Sequence, residues 1–162
     1  MNLTGLLTGL ATAGIRHVVV GGVAANAHGS ARITRDLDVC YDPGEENVRR
    51  LARLLGEWHA YLRGVEPGLP WTPDERAIRT SPVLTLVTDE GDLDIMDRVG
   101  GVGGFSAVLA ASVEVSVFGI PTRVLTLDAL IAAKRAAGRR KDMEALLELE
   151  ALREFRRQHG LD

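Results

Sequence analysis

The sequence predicts an α+β fold. Three observations carry that expectation. Short apolar runs with strand alternation are interleaved with stretches of helical periodicity. Two later segments fold back on themselves as hairpins around glycine-containing turns, and the C-terminal segment reads as helix throughout. At 162 residues the chain fits one domain spanning 1–162. A chain of this size buries roughly 68–70% of its unfolded surface and needs no disulfide staple.

The elements follow in order. Residues 3–14 form a short helix that ends at Gly14, the residue type best suited to a C-cap. HVVVGG, residues 17–22, is a buried strand with two glycines at its C-terminal end. Residues 23–29 form a small helix closed by Gly29. DLDVCYD, residues 36–42, is a second strand: Leu37, Val39 and Tyr41 face one side, Asp36, Asp38 and Cys40 the other. A helix then opens with Asp42 as N-cap, Pro43 at the first helical position and Glu45 three residues after the cap. Val48, Leu51, Ala52, Leu55, Trp58 and Leu62 continue it at helical spacing.

GVEPGLPWTPDE, residues 64–75, holds three prolines and reads as an irregular loop. Residues 82–99 read as a hairpin turning at Asp89-Glu90-Gly91. GGVGG, residues 100–104, is a flexible loop before a short helix near 105–111; it lacks the preceding strand and the lysine of a P-loop. A second hairpin, residues 113–127, turns at Gly119-Ile120-Pro121. Thr126 caps a helix from Leu127, Gly138 ends it, and a last helix runs from Arg140 to Gln158.

Composition narrows the function classes. A net charge of −3 argues against general coating of nucleic acid, and 4% aromatic residues against a base-stacking platform. Cys40, the single cysteine, rules out an internal disulfide framework and suits a reducing cytoplasm. Its alternation within an apolar strand reads as an inert core thiol. The N-terminus has no basic region and its apolar run is broken, so it reads as the first helix and not as a signal peptide. No stretch approaches the roughly 20 apolar residues that span a bilayer.

The chemistry is expected where carboxylates gather. Asp36 and Asp38, two apart on one strand, emerge on the same side about 6–7 Å from each other. Such a pair repels itself unless a cation lies between. Mg²⁺ is held in this way, by one or two carboxylates together with substrate phosphates. Asp92 and Asp94 repeat the spacing on the second arm of a hairpin; Asp94, followed by Ile95 and Met96, is the better third ligand, and Asp92, nearer the turn, faces solvent. A lone D-x-D is also what a solvated strand edge looks like. Gly21 and Gly22 tip the balance, because glycines between a strand and a helix let backbone N–H groups approach a phosphate. Lys134, Arg135, Arg139, Arg140 and Lys141 form an acid-free basic run before Asp142, either a solvated face or a phosphate-facing patch.

Gly21-Gly22, then thirteen residues, then Asp36-Leu37-Asp38, with a later single carboxylate on a strand, resembles the nucleotidyltransferase fold typified by DNA polymerase beta. The fuller pattern GGVAANAHGSARITRDLDV is similar to the minimal bacterial nucleotidyltransferases related to AbiEii-type toxins. The likeness continues through ENVRRLARLL, GDLDIM and VFGIPTRVLTLDALIAAKRAAGRRKD to the terminal helix. It implies a small mixed β-sheet flanked by helices, with a core at about 15–127 and a C-terminal helical segment at about 127–158. It further implies an NTP substrate and two Mg²⁺ ions, Mn²⁺ being the other ion that fits. By the same resemblance Asp36, Asp38 and Asp94 hold the metals, and Asp94 helps deprotonate the attacking hydroxyl. Gly21, Gly22, Arg32, Thr34, Lys134 and Lys141 contact the nucleotide phosphates, and Asp142 orients a lysine. Arg32 as a carboxylate partner, Thr34 as a loop hydroxyl and His28 as a satisfied helix-end histidine are the ordinary readings of those side chains.

One departure stands out: many members of that superfamily carry Gly-Ser where this chain has Gly21-Gly22, so a hydroxyl contact to phosphate is missing. The expected activity is transfer of NMP from an NTP to a hydroxyl of tRNA, of a partner protein or of a small molecule such as an aminoglycoside. A cognate toxin or antitoxin is the expected partner, in the cytoplasm and away from membranes. The competing expectation is a catalytically silent half of a toxin–antitoxin pair. A metal-dependent phosphohydrolase fits less well, since no histidine stands at ligand spacing beside the aspartates.

Overall fold

The computed structural model describes residues 1–161. The chain runs α1 (Leu3–Thr12), β1 (His17–Val20), α2 (Gly21–Ala27), β2 (Asp36–Tyr41), α3 (Glu45–Glu57), β3 (Tyr61–Leu62), α4 (Glu75–Thr80), β4 (Val83–Thr88) and β5 (Gly91–Met96). It continues with β6 (Arg98–Val99), β7 (Gly103–Gly104), α5 (Phe105–Ala110), β8 (Ser112–Val117), β9 (Ile120–Leu125), α6 (Leu127–Ala137), a 3₁₀ turn (Arg140–Asp142) and α7 (Met143–Gln158). No helix among the described residues is long and apolar enough to cross a membrane.

Seven strands form one mixed sheet in the order β3-β4-β5-β2-β1-β9-β8, and β6 and β7 make a separate two-stranded ribbon. β2 runs parallel to β5 and β1 parallel to β9; the other pairings are antiparallel. The expected mixed sheet with flanking helices is therefore present. Alternation settles its two faces. Leu37 and Val39 of β2, Leu93 and Ile95 of β5, and Leu84 and Leu86 of β4 are buried in a core completed by Leu6, Leu7 and Leu10 of α1 and Val48, Leu51 and Leu55 of α3. Each such side chain contributes about 1.5–3 kcal/mol relative to staying in water. The opposite face of β4, Val83, Thr85 and Val87, is exposed. Direct cross-strand partners share a face, and the register aligns Thr85 with Asp94 and Asp94 with Asp38, and Val87 with Asp92 and Asp92 with Asp36. The aspartates thus project from the face that β4 leaves open.

Several local expectations hold. Gly14 takes a left-handed φ of 68° after α1, Thr126 accepts the Ala129 N–H at the start of α6, and Gly138 closes that helix at φ 60°. Others shift. Asp42 does not cap α3: its carboxylate accepts the Gly44 N–H (2.9 Å) and binds Arg16 (2.6 Å), so the helix starts at Glu45 with Gly44 in the cap position. Leu62 is not in that helix. The chain leaves it at Trp58, passes His59 in the left-handed region (φ 49°) and returns to the sheet as β3. The loop ends earlier than expected, because Asp74 accepts the Ala77 N–H (2.8 Å) and starts α4. The second hairpin turns at Phe118-Gly119, both at positive φ, which leaves Ile120 and Pro121 inside β9.

Candidate active site

The strand-to-helix turn after β1 is shaped by a carboxylate. Gly21 sits at φ 63°, where an L side chain is strained, and a Cβ added there would collide with Asp38 Oδ2. The backbone N–H of Gly22 hydrogen-bonds the same carboxylate. A Cβ at Gly22 would lie 2.7 Å from Thr34 Oγ1 and 2.9 Å from Thr34 Cβ. The space that a side chain at position 22 would need is filled by Thr34, whose hydroxyl donates to the Asp36 carbonyl (3.1 Å).

Asp36, Asp38 and Asp94 converge on the open sheet face, with one carboxylate oxygen of each within 4.8 Å of the others. Three hard oxygen donors this close suit a divalent cation. Burial, then the charges of Asp36 and Asp94, push the Asp38 carboxyl up to about 7. Burial raises Asp94 as well, and the guanidinium of Arg63 opposes the rise. Asp38 forms no ion pair among the described residues, whereas Arg63 contacts Asp94 Oδ1 at 2.7 Å, Asp92 Oδ2 at 3.3 Å and Asp36 Oδ2 at 3.7 Å. Asp92 therefore does not simply face solvent, as its place near the turn suggested. Arg63 itself gave no signal in the sequence. It lies between an apolar run and a proline-rich loop, and only the antiparallel pairing of β3 with β4 carries it to the cluster.

Beside the carboxylates is a cavity of about 130 Å³ lined in part by Gly21, Gly22, Arg32, Thr34, Ile33 and Lys134. Five of the six residues expected to contact phosphate thus share one cavity, although they come from three separate parts of the fold: the start of α2, the loop before β2, and α6. The sixth, Lys141, is exposed and forms no ion pair among the described residues. Lys134 is held by Asp142 (3.1 Å), which also binds Arg139 (2.6 Å). Burial tends to raise the Asp142 carboxyl, but hydrogen bonds from Arg139 and Lys134 hold it below its ordinary value. Arg32 stands 4.0 Å from Glu144 and from Glu148, and Glu148 also accepts the Ser30 hydroxyl (2.6 Å), which fastens the loop before β2 to α7. Of the basic run, Arg135 pairs with Glu150 at 2.6 Å.

Two side chains keep their ordinary roles. His28 Nε2 is 2.8 Å from the Leu125 carbonyl at the end of α2, and Cys40 is fully buried with its thiol pushed up to about 12, first by burial and then by Asp97. A larger groove of about 860 Å³ lies at the other end of β1, near Arg16, His17, Phe105 and Arg123. Glu114 is the one carboxylate in its lining, and none of Asp36, Asp38 and Asp94 borders it.

A family model described as "Nucleotidyl transferase of unknown function (DUF2204)" matches residues 1–159. Among solved structures the chain is similar to a candidate nucleotidyltransferase (TM1012) from Thermotoga maritima, with a TM-score of 0.57 and 18% identity over 90% of this chain and 88% of that one. It is also similar to ANT(2″)-Ia in complex with adenylyl-2″-tobramycin, with a TM-score of 0.57 and 15% identity over 98% of this chain and 96% of that one. The solution structure of the antibiotic-resistance factor ANT(2″)-Ia gives a TM-score of 0.57 and 16% identity over 99% and 95%. At such identities the likeness speaks for the fold. No curated protein sequence matches the chain.

Proposed function

Because this chain belongs to the nucleotidyl transferase family that matches residues 1–159, we propose that it moves NMP from an NTP to a hydroxyl acceptor in a Mg²⁺-dependent reaction. The observation that carries the reading is the convergence of Asp36, Asp38 and Asp94 beside a cavity lined by Gly21, Gly22, Arg32, Thr34 and Lys134. A carboxylate cluster alone has many explanations. Set against a cavity with two cations and a glycine turn, it matches the charge pattern of a metal–triphosphate complex.

In this reading Asp36, Asp38 and Asp94 hold the metal, with Mg²⁺ as two ions and Mn²⁺ as the substitute. When bound it supplies neutralisation of the α-phosphate and acidification of the acceptor hydroxyl. The chain's own groups do the rest. Arg32, Lys134 and Lys141 bind the phosphates, Thr34 fills the wall of the turn, and Asp142 holds Lys134 in place. The acceptor oxygen bonds to the α-phosphorus, the bond to the pyrophosphate oxygen breaks, and the acceptor's proton passes to Asp94 and then to solvent. Positioning and electrostatics supply most of the acceleration in such a transfer.

The acceptor approaches across the open face next to β4, where Thr85 and Val87 border Asp94 and Asp92. A tRNA end or a hydroxyl of a partner protein is the proposed acceptor, and the sequence resemblance to AbiEii-type toxins supports a toxin–antitoxin setting as part of the same proposal. The complex of ANT(2″)-Ia with an adenylylated aminoglycoside supports a hydroxyl as the acceptor group.

The test is incubation with each α-labelled NTP and Mg²⁺ in the presence of total RNA and cell protein. Label in one fraction names the nucleotide and the acceptor class. Asp36→Asn should abolish transfer with the fold intact by circular dichroism, and Lys134→Ala should chiefly weaken NTP binding. Transfer retained by Asp36→Asn overturns the assignment.

A further inference from the structure

Among the described residues Arg63 is the one cation paired with the carboxylate cluster, and its contacts are unequal. The residue directly follows β3; its backbone N–H donates to the Thr85 carbonyl (2.9 Å) and its Nη2 to the Leu86 carbonyl (3.0 Å). The guanidinium is tied to β4 by these bonds and reaches from there over three aspartates. Only Nη2 to Asp94 Oδ1, at 2.7 Å, is a tight charge-assisted hydrogen bond. Nη1 stays 3.7 Å from Asp36 Oδ2, and Nε, 3.3 Å from Asp92 Oδ2, is buried without hydrogen-bond geometry to any acceptor. A guanidinium placed to satisfy its donors would not leave one buried and misaligned. This one lies instead within 4 Å of three carboxylates. Its side chain is 29% exposed, so solvent only partly screens it.

We propose that Arg63 is a built-in counter-cation that neutralises the metal ligands Asp36 and Asp94 before an ion arrives, lowers the site's affinity for a free divalent ion, and so makes entry of the ion depend on the nucleotide's phosphates. The inference rests on the nucleotidyltransferase reading of the site. Four carboxylates (Asp36, Asp38, Asp92 and Asp94) share this face, and like charges so close destabilise one another unless a cation intervenes. Of the two cations in the adjoining cavity, Lys134 is occupied by Asp142, and Arg32 stands 4.0 Å from Glu144 and Glu148. A divalent ion at the cluster is repelled by the guanidinium that already holds two of its ligands. Triphosphate oxygens restore the balance by adding the negative charge that Arg63 cancels.

A mere strut between β3 and β5 predicts the opposite sign. Removing a strut loosens the ligands and weakens ion binding; removing a counter-cation strengthens it. The experiment is titration of Mn²⁺, followed by electron paramagnetic resonance, and of Mg²⁺, followed by calorimetry, into the wild type, Arg63→Gln, Arg63→Met and Arg63→Lys without nucleotide. The loss of a full positive charge at contact distance should tighten binding in the Gln and Met variants by about tenfold or more, while Lys stays near the wild type. Without metal the Gln variant should melt below the wild type, and added ion should raise its melting temperature by the larger amount. In the wild type itself a non-hydrolysable NTP should tighten ion binding by about tenfold or more. That measurement decides even if the neutral variants do not fold.

Unchanged or weaker ion binding in Arg63→Gln and Arg63→Met overturns the counter-cation role, as does a wild type that binds the free ion as tightly as it does with nucleotide. Ion binding by the wild type alongside either result leaves the nucleotidyltransferase reading standing. Failure of every form to bind an ion, even with NTP present, overturns both.

Discussion

Asp38→Asn removes a carboxyl whose ionisation this fold strongly resists. Burial, reinforced by Asp36 and Asp94, holds the Asp38 carboxyl at about 7, against 3.8 for the ordinary group. Over that interval the folded chain keeps a proton that the unfolded chain releases. Rising pH therefore favours unfolding, and stability that is fully present below about pH 4 is lost by the time pH passes about 7. Three units at about 1.4 kcal/mol each set a ceiling of about 4 kcal/mol. The carboxyl of Asp94 titrates together with that of Asp38, so part of the effect belongs to the pair, and about 2–4 kcal/mol is the expected range. Asn keeps the size of Asp and can still accept the Gly22 N–H. In EDTA at pH 8 the variant should be the more stable protein, by roughly 5–10 °C in a chain of this length, and the gap should narrow steadily toward pH 4. Urea and thermal melts at half-unit pH steps measure it, and nucleotidyl transfer by the same variant should be lost. A variant no more stable than the wild type at pH 8, or a gap independent of pH, would refute the reasoning.

Gly22→Ser supplies the hydroxyl of a Gly-Ser turn but drives its Cβ to 2.7 Å from Thr34 Oγ1, and should cost about 1–3 kcal/mol in urea unfolding. Combined with Thr34→Ala it should recover most of that loss, a non-additivity that a double-mutant cycle detects. Asp142→Asn removes the charge shared by Lys134 and Arg139 at a site only 10% exposed; it should lower stability by about 1–3 kcal/mol and weaken NTP affinity in a nucleotide titration. Leu93→Ala, in the fully buried layer between Asp92 and Asp94, should cost about 2–5 kcal/mol with no dependence on pH from 4 to 8, the control against which the Asp38 profile is judged.

What the sequence made legible and what it hid divide along physical lines. Asp36 and Asp38 were legible because period-two alternation alone puts both on one face of a strand, and Asp94 because a carboxylate inside an apolar strand needs a reason to be there. Helix ends marked by Gly14, Thr126 and Gly138 were legible for the same kind of local cause. Arg63 was not, since its position depends on a two-residue edge strand and on a left-handed His59 that no pattern announces. Leu62 shows why: at i+4 from Trp58 it satisfies a helical period as well as it satisfies a strand.

The Gly21-Gly22 pair stands between a strand and a helix, as expected, yet the reason for two glycines there lies elsewhere in the chain. Gly21 is bare because the Asp38 carboxylate occupies the place of its Cβ, and Gly22 is bare because Thr34 does. Each glycine is thus the complement of a residue more than ten positions away, on the loop and strand that return beside β1. Absence of a serine at position 22 is therefore not simply a missing contact. The room a side chain on the turn would need holds a hydroxyl of the facing loop, one that donates to the backbone of Asp36 and so links the wall of that cavity to β2. On this argument Thr34 and Gly22 stand or fall together, and neither can be interpreted alone.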